Sequence, residues 1–409
     1  MEEAGADKQT GLKAFRALRF RNYRVFWIGQ FVSLIGLWMM TIAQGWLAYD
    51  ITNSKFLLGL VNFIAGIPVL LLSPVGGYMA DHMDRRKLLL ATQVIFAVVS
   101  FLIGLLISTG QINYLNLCIL ALIIGLANAI DSPVRQAFVV NLVERDHFSN
   151  AIALNSLSFN SARVIGPAVA GYLIGAFGVE LCFYLNAASF IAVIAGLLMI
   201  KGIFRSKLAH KASFGEAFLN SVRYVMADRK VFFSLVLMAF TSLFIMPYAV
   251  LMPVFAKDIL NVGAQGLGVL MSFSGFGALL GAFYLAQAGT KKNFTWTIII
   301  STMMMSLSAA LFSLSRNYLL SCAALLILGF NIVTQAISIN TFLQYTVTDE
   351  LRGRLMSFYT MFFLGLMPIG AFQAGLLAHF IGAPLTLFSG AAVIFLSALF
   401  LFFRRNQAA

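Results

Sequence analysis

The chain has 409 residues, of which 60% are hydrophobic and 11% charged, with a formal net charge of +13. So little charge on so apolar a chain excludes an ordinary water-soluble protein and indicates an integral membrane protein. The basic excess does not indicate a nucleic-acid binder, because Lys and Arg fall in short loops and build no basic face or reader motif.

Met1 to Tyr23 is polar and basic and lacks the apolar core of a cleaved signal peptide. Twelve apolar runs follow: Arg24–Tyr49, Leu57–Ala80, Leu88–Ser108, Leu115–Gln136, Leu154–Phe177, Leu181–Ile200, Val231–Phe255, Gly266–Gln287, Phe294–Leu314, Leu319–Tyr345, Met356–Phe380 and Ala383–Phe403. At 1.5 Å per residue each can cross about 30 Å of hydrocarbon. Backbone groups in lipid must be satisfied within their own segment, so the runs are expected to be helices. Of the 28 Lys and Arg, Lys55, Lys257 and Arg316 fall on one side, Arg135 and Arg163 lie within runs, and all others fall on the opposite side. The positive-inside rule puts that basic side, with both termini and the central loop, in the cytoplasm.

The chain repeats itself at a shift near half its length. Gly166 maps to Gly370, Gly171 to Gly375, Gly178 to Gly382 and Gly77 to Gly281. The expected fold is therefore all-α, with twelve transmembrane helices in two pseudo-symmetric six-helix halves. The expected organisation is a cytoplasmic N-terminal segment (1–23), a first half (24–200), a cytoplasmic linker (201–230), a second half (231–403) and a cytoplasmic tail (404–409). Within the linker, Ser213-Phe214-Gly215-Glu216 fits a capping box, and the apolar face that follows predicts an amphipathic helix at the membrane surface.

One loop joins the second and third runs with Gly77, Asp81, Arg85 and Arg86 in the spacing G-x-x-x-D-x-x-x-R-R. This resembles the loop signature of the major facilitator superfamily, although His82 replaces the usual cation and Asp84 the usual glycine. Trp46 to Thr52, Asp131 to Phe138, Asn150 to Ser156, Arg163 to Gly171 and Leu351 to Ser357 resemble one branch of it. That branch is the bacterial transmembrane-effector group, which includes the enterobactin exporter and macrolide-efflux-like proteins. The resemblance implies the major facilitator fold and a proton-driven exporter in the bacterial cytoplasmic (inner) membrane. It also implies that Asp81 gates the carrier, with Arg85 and Arg86 compensating the acid. Arg163 to Gly171, with Gly166-Pro167, partly resembles the superfamily's antiporter signature, which suggests antiport.

The four His are scattered and the three Cys make no C-x-x-C, so neither a metal nor a cofactor is expected. No G-x-x-x-x-G-K-[ST] is present, so the chain carries no ATPase of its own. The chemistry instead lies in polar stripes inside apolar runs, which are costly in lipid and should face the bundle interior. Gln30, Thr41 and Gln44 on the first run, Asn128 on the fourth, Tyr248 on the seventh, and Asn331 and Gln335 on the tenth are candidates for lining a substrate cavity. Small residues let helices approach closely, which assigns Gly77, Gly166, Pro167, Gly171, Gly281 and Gly370 to helix packing. Asp131 and Arg135 share a helix face, and Arg163 begins ~13 Å into the next run, within reach of Asp131. An acid between two cations in a partly dry site can exchange a proton when one cation moves, so the trio is a candidate for coupling, with a fixed structural ion pair as the other account. These readings describe a secondary active transporter, not an enzyme. It would export a small amphiphilic solute, siderophore or drug-like, by alternating access against protons. Its expected partners are the solute, protons and the bilayer, with no nucleic acid and a monomeric carrier. A lysophospholipid or other lipid flippase, or a membrane scaffold or sensor without flux, are the alternatives.

Overall fold

The computed structural model describes residues 15–200, 225–226, 228–288, 293–347 and 349–406, and no strand occurs among them. The helices are α1 (Arg21–Thr52), α2 (Lys55–His82), α3 (Arg85–Ser108), α4 (Tyr114–Val139), α5 (Phe148–Phe177) and α6 (Glu180–Met199). They continue with α7 (Arg229–Ile259), α8 (Gly263–Ala288), α9 (Phe294–Leu314), α10 (Tyr318–Thr346), α11 (Asp349–Thr360) and α12 (Met367–Asn406). Among the described residues ten helices are long and apolar enough to cross a membrane. The 30-residue α5 is outside that set, and Leu355–Phe402 is within it as one segment. That segment departs from helical geometry at Gly382, whose φ of 82° needs no Cβ in the way. The surface helix expected from Ser213 falls outside the described residues up to 224.

The described parts of Met1–Ala43 and Leu71–Ala209 form one compact unit, and those of Gln44–Leu70 and His210–Ala409 form a second. In the first, the start of α1 is pinned to the start of α5. Tyr23 Oη donates to the Ala151 carbonyl at 2.9 Å, and Trp27 Nε1 donates to that of Leu154 at 3.2 Å. Tyr23, Phe26, Leu89, Phe138, Leu154 and Leu197 form the apolar cluster around this anchor. Gly166 lets α5 reach α1, since a Cβ there would lie 2.5 Å from Trp38 Cβ.

In the second unit α8 and α10 touch backbone to backbone. A Cβ on Gly277 would sit 1.9 Å from the Leu326 carbonyl oxygen, and one on Gly329 the same distance from that of Ser274. α7 contains two π-helical turns, Thr241–Ile245 and Phe255–Ile259. The first packs its carbonyls onto glycines of α12: Ser242 O faces Gly370 and Phe244 O faces Gly390, each 2.7 Å from an added Cβ. Gly281 is likewise packed, against the Phe330 carbonyl. Gly77 is different. A Cβ there meets nothing within 4 Å, and the neighbouring Gly76 is the one that touches α4. The packing role expected for Gly77 is therefore corrected to Gly76, one residue earlier and about 100° away around the helix.

Two pairs of unusual backbone angles lie at or near the repeat's spacing. Gly178 and Gly382 have φ of 98° and 82°, and Asn53 and Asn261 have φ of 46° and 53°. Gly178, Asn53 and Asn261 mark bends at helix ends and Gly382 the break within α12, and such angles are uncommon outside glycine and Asn.

Candidate functional site: an ion pair on the wall of a cavity

The first unit encloses a cavity of about 230 Å³ lined by α1, α3, α4, α5 and α6. One part of its wall is polar, with Gln30, Ser33, Asn128, Asp131, Arg135 and Asn155. The other is apolar, with Leu37, Phe96, Ile124, Phe159 and Phe190 among its residues. Such a wall suits a solute that is itself part polar and part apolar.

The polar part is organised by α4. Pro133 lies inside this helix and has no N–H to give the Ala129 carbonyl. α2 fills the gap with Gly76, where a Cβ would come 2.2 Å from that oxygen. One turn apart, Asp131 and Arg135 straddle the proline. Oδ2 of Asp131 accepts from Arg135 Nε at 2.8 Å and from Nη2 at 2.5 Å. Oδ1 accepts from Thr92 Oγ1 at 2.7 Å and from Gln93 Nε2 at 2.8 Å, both on α3. Arg135 Nη1 also donates to Gln30 Oε1 on α1. The carboxylate thus has donors on both oxygens and is 5% exposed, whereas the guanidinium is 19% exposed and borders the cavity.

Arg163 does not join this pair. It is on α5 with its guanidinium 5.7 Å from the centre of the Trp38 ring, which itself meets Phe159 edge-on. It makes no ion pair among the described residues. The expected reach to Asp131 is corrected: a length count gives depth in the membrane but not the face of the helix, and the indole offers a cation its π surface. Thr92 and Gln93 were missed in the sequence, because an isolated Thr-Gln in an apolar run looks like helix–helix glue.

Of the other expected cavity residues, Gln30 and Asn128 line this cavity. Thr41 is exposed and bonds its own helix at Leu37. Gln44 is buried. In the second unit the stripe is used between helices. Gln335 Oε1 accepts from Thr241 at 3.0 Å and its Nε2 donates to Thr302 at 2.7 Å. Tyr248 pairs with Ser274 at 2.6 Å, and Asn331 turns back on the Ile327 carbonyl.

At the α2–α3 turn, Asp81 is 54% exposed and 3.6 Å from Arg85 Nη2. Arg85 is buried and spends its other donors on Ala80 O, Ala137 O and Asn141 Oδ1. Arg86 reaches Leu197 O and Leu198 O, at the end of α6. Arg86 therefore does not compensate Asp81 directly, because α6 carbonyls left open at the helix end take its donors. Asp84 caps α3, accepting from the backbone N–H of Arg86 and Lys87, which explains an acid where the motif has glycine. A second ionic cluster, not foreseen, lies in the second unit. Tyr49 Oη donates to Asp258, and Lys257 Nζ donates to Asp50 at 2.7 Å and Asn53 at 3.4 Å.

Long apolar helices with a polar, ion-paired cavity in the first unit fit a multi-pass membrane protein. The chain belongs to the transmembrane secretion effector family of major facilitator transporters, whose profile matches residues 12–408. It is similar to the Staphyloferrin A transporter of Staphylococcus aureus, 24% identical over 94% of this chain and 96% of that one. It is 22% identical to Macrolide efflux protein A of Streptococcus pyogenes, over 89% and 92% of the two chains. It is 23% identical to an Enterobactin exporter of Shigella flexneri, over 83% and 80%. Solved structures share the fold. The nucleoside transporter NupG gives a TM-score of 0.71 at 15% identity, covering 92% of this chain and 97% of that one. A bacterial homologue of the iron transporter ferroportin gives 0.70 at 14%, covering 93% and 98%.

Proposed function

We propose that this protein exports a small amphiphilic solute, siderophore or drug-like, from the bacterial cytoplasm by alternating access coupled to inward proton movement. The observation that carries the reading is the Asp131–Arg135 pair on the wall of an amphiphilic cavity inside an apolar bundle. Ionisable groups at such depth are expensive, and a pair there serves an ion or solute path. The names of two relatives, a macrolide efflux protein and an enterobactin exporter, support the direction.

In this reading the helices make twelve crossings, with α5 as one and the break at Gly382 dividing two others. The recurring backbone angles at Gly178 and Gly382 support two six-helix halves, and the basic loops support cytoplasmic termini. The carrier works as a monomer in the inner membrane. Asp131 exchanges the proton, Arg135 is its counter-ion, and Gln30 and Asn128 face the solute. Asp81 acts at the cytoplasmic gate through Arg85, and the Tyr49, Asp50, Lys257 and Asp258 cluster closes the outer end.

The test is flux in proteoliposomes, with a macrolide and a siderophore as solutes, with and without a pH gradient. Export that rises with an inward proton gradient and collapses with an ionophore is expected. Flux of neither solute, or lipid movement indifferent to the gradient, overturns the reading.

A further inference from the structure

We infer that Thr92 is a positioning residue for the proton site: its hydroxyl turns between Asp131 and the Leu89 carbonyl as Asp131 loses or gains a proton. The inference rests on the reading of Asp131 as the proton carrier.

Thr92 Oγ1 stands 2.7 Å from Asp131 Oδ1 and 2.9 Å from the Leu89 carbonyl oxygen. A hydroxyl has one proton to donate and two lone pairs to accept with, so it serves only one of these acceptors at a time. When Asp131 is ionised, the hydroxyl donates to the carboxylate, a charge-assisted bond. When Asp131 is protonated on Oδ1, the acid O–H donates to Thr92 Oγ1, and the hydroxyl turns to Leu89. No heavy atom has to move, and no buried donor is orphaned in either state. Gln93 Nε2 remains a donor to Oδ1 throughout.

Thr92 is the hydroxyl that touches Asp131 Oδ1. Arg135 is the charged group that faces it, from its own helix. α3 presents Thr92 and Gln93, α2 presents Gly76, and α1 presents Gln30 through Arg135, none of them titratable.

The second unit holds the same device with the proton-bearing state fixed. At the repeat's shift Asp131 corresponds to Gln335, which cannot ionise. Gln335 Nε2 donates to Thr302 Oγ1 at 2.7 Å, and Thr302 in turn donates to the Ile298 carbonyl at 2.6 Å. That is the chain of donors assigned above to protonated Asp131: side chain to threonine, threonine to its own helix.

Infrared difference spectra of the purified full-length protein, between about pH 4 and 9, test this. Asp131→Asn identifies the Asp131 carboxylic acid band by its loss. In Thr92→Val, and in Thr92→Ala read beside it, that band should move to higher frequency, because the acid O–H has lost its acceptor. Thr92→Ser should keep the wild-type band. Gradient-driven export in Thr92→Val should fall about tenfold, the scale of one lost buried hydrogen bond, while passive exchange survives. If Asp131 titrates but its band stays in place in both Thr92→Val and Thr92→Ala, the rotating hydroxyl is wrong and the proton-site reading stands. If no Asp131 band appears anywhere in the range, both fall.

Discussion

Replacing either member of the Asp131–Arg135 pair should cost more than replacing both. Asp131→Asn removes the acceptor of two charge-assisted bonds and turns an amide toward the guanidinium, while Thr92 and Gln93 still find a carbonyl oxygen. Arg135→Gln leaves a carboxylate that is 5% exposed with only two neutral donors. Breaking a buried pair costs ~3–5 kcal/mol, because the remaining charge has no partner. The guanidinium is 19% exposed and borders the cavity, so water can partly rescue it, which puts Asp131→Asn near ~3 kcal/mol. The carboxylate has no such outlet, so Arg135→Gln should lie toward ~4 kcal/mol. In the double variant two amides face each other and can hydrogen-bond, so the loss should be ~2 kcal/mol and the coupling several kcal/mol. Unfolding of the three purified variants beside wild type, in one detergent, measures the cycle. If the double variant equals the sum of the singles within about 0.5 kcal/mol, the two side chains act independently and the argument fails.

Three further outcomes follow from the geometry. Gly277→Val should destabilise by more than ~3 kcal/mol or abolish monodisperse protein, since its first side-chain carbon already collides with the Leu326 carbonyl, whereas Gly77→Ala should change the unfolding midpoint little. Asp84→Ala should cost ~1 kcal/mol through the lost cap of α3, and Asp84→Ser should recover most of it in the same unfolding assay. Asp50→Lys should slow export through repulsion of Lys257, and adding Lys257→Asp should restore it; failure of the paired reversal to restore flux would remove the contact from the transport cycle.

What the sequence made legible was whatever depends on local periodicity. Runs long enough to span, and the glycines at 166, 281 and 370, needed only hydrophobicity and spacing. The faces of helices were harder. Arg163 could be placed at a depth but not on a side, and it went to Trp38 rather than to Asp131. Gly77 carries the loop motif, yet Gly76 makes the contact, because the carbonyl freed by Pro133 is on that side. The cluster of Tyr49, Asp50, Lys257 and Asp258 joins residues more than 200 apart, and no pattern in one sequence announces such a meeting.

The repeat expected from the sequence is most informative where it is broken. Gly166 and Gly370, and Gly178 and Gly382, keep the same backbone tasks in both copies. Asp131 and Gln335 do not keep the same charge. Each is bonded to a threonine of a neighbouring helix, Thr92 donating to Asp131 and Gln335 donating to Thr302. What differs is the cost of the occupant. Gln335 is neutral, fully buried and bonded on both sides, and therefore serves packing. Asp131 is ionisable, and Arg135, Thr92 and Gln93 supply four donors to its carboxyl oxygens. Had that position mattered only for joining helices, the amide of the second copy would have sufficed. Among the described residues Gln335 makes no ion pair, whereas Asp131 makes one with Arg135 beside the cavity.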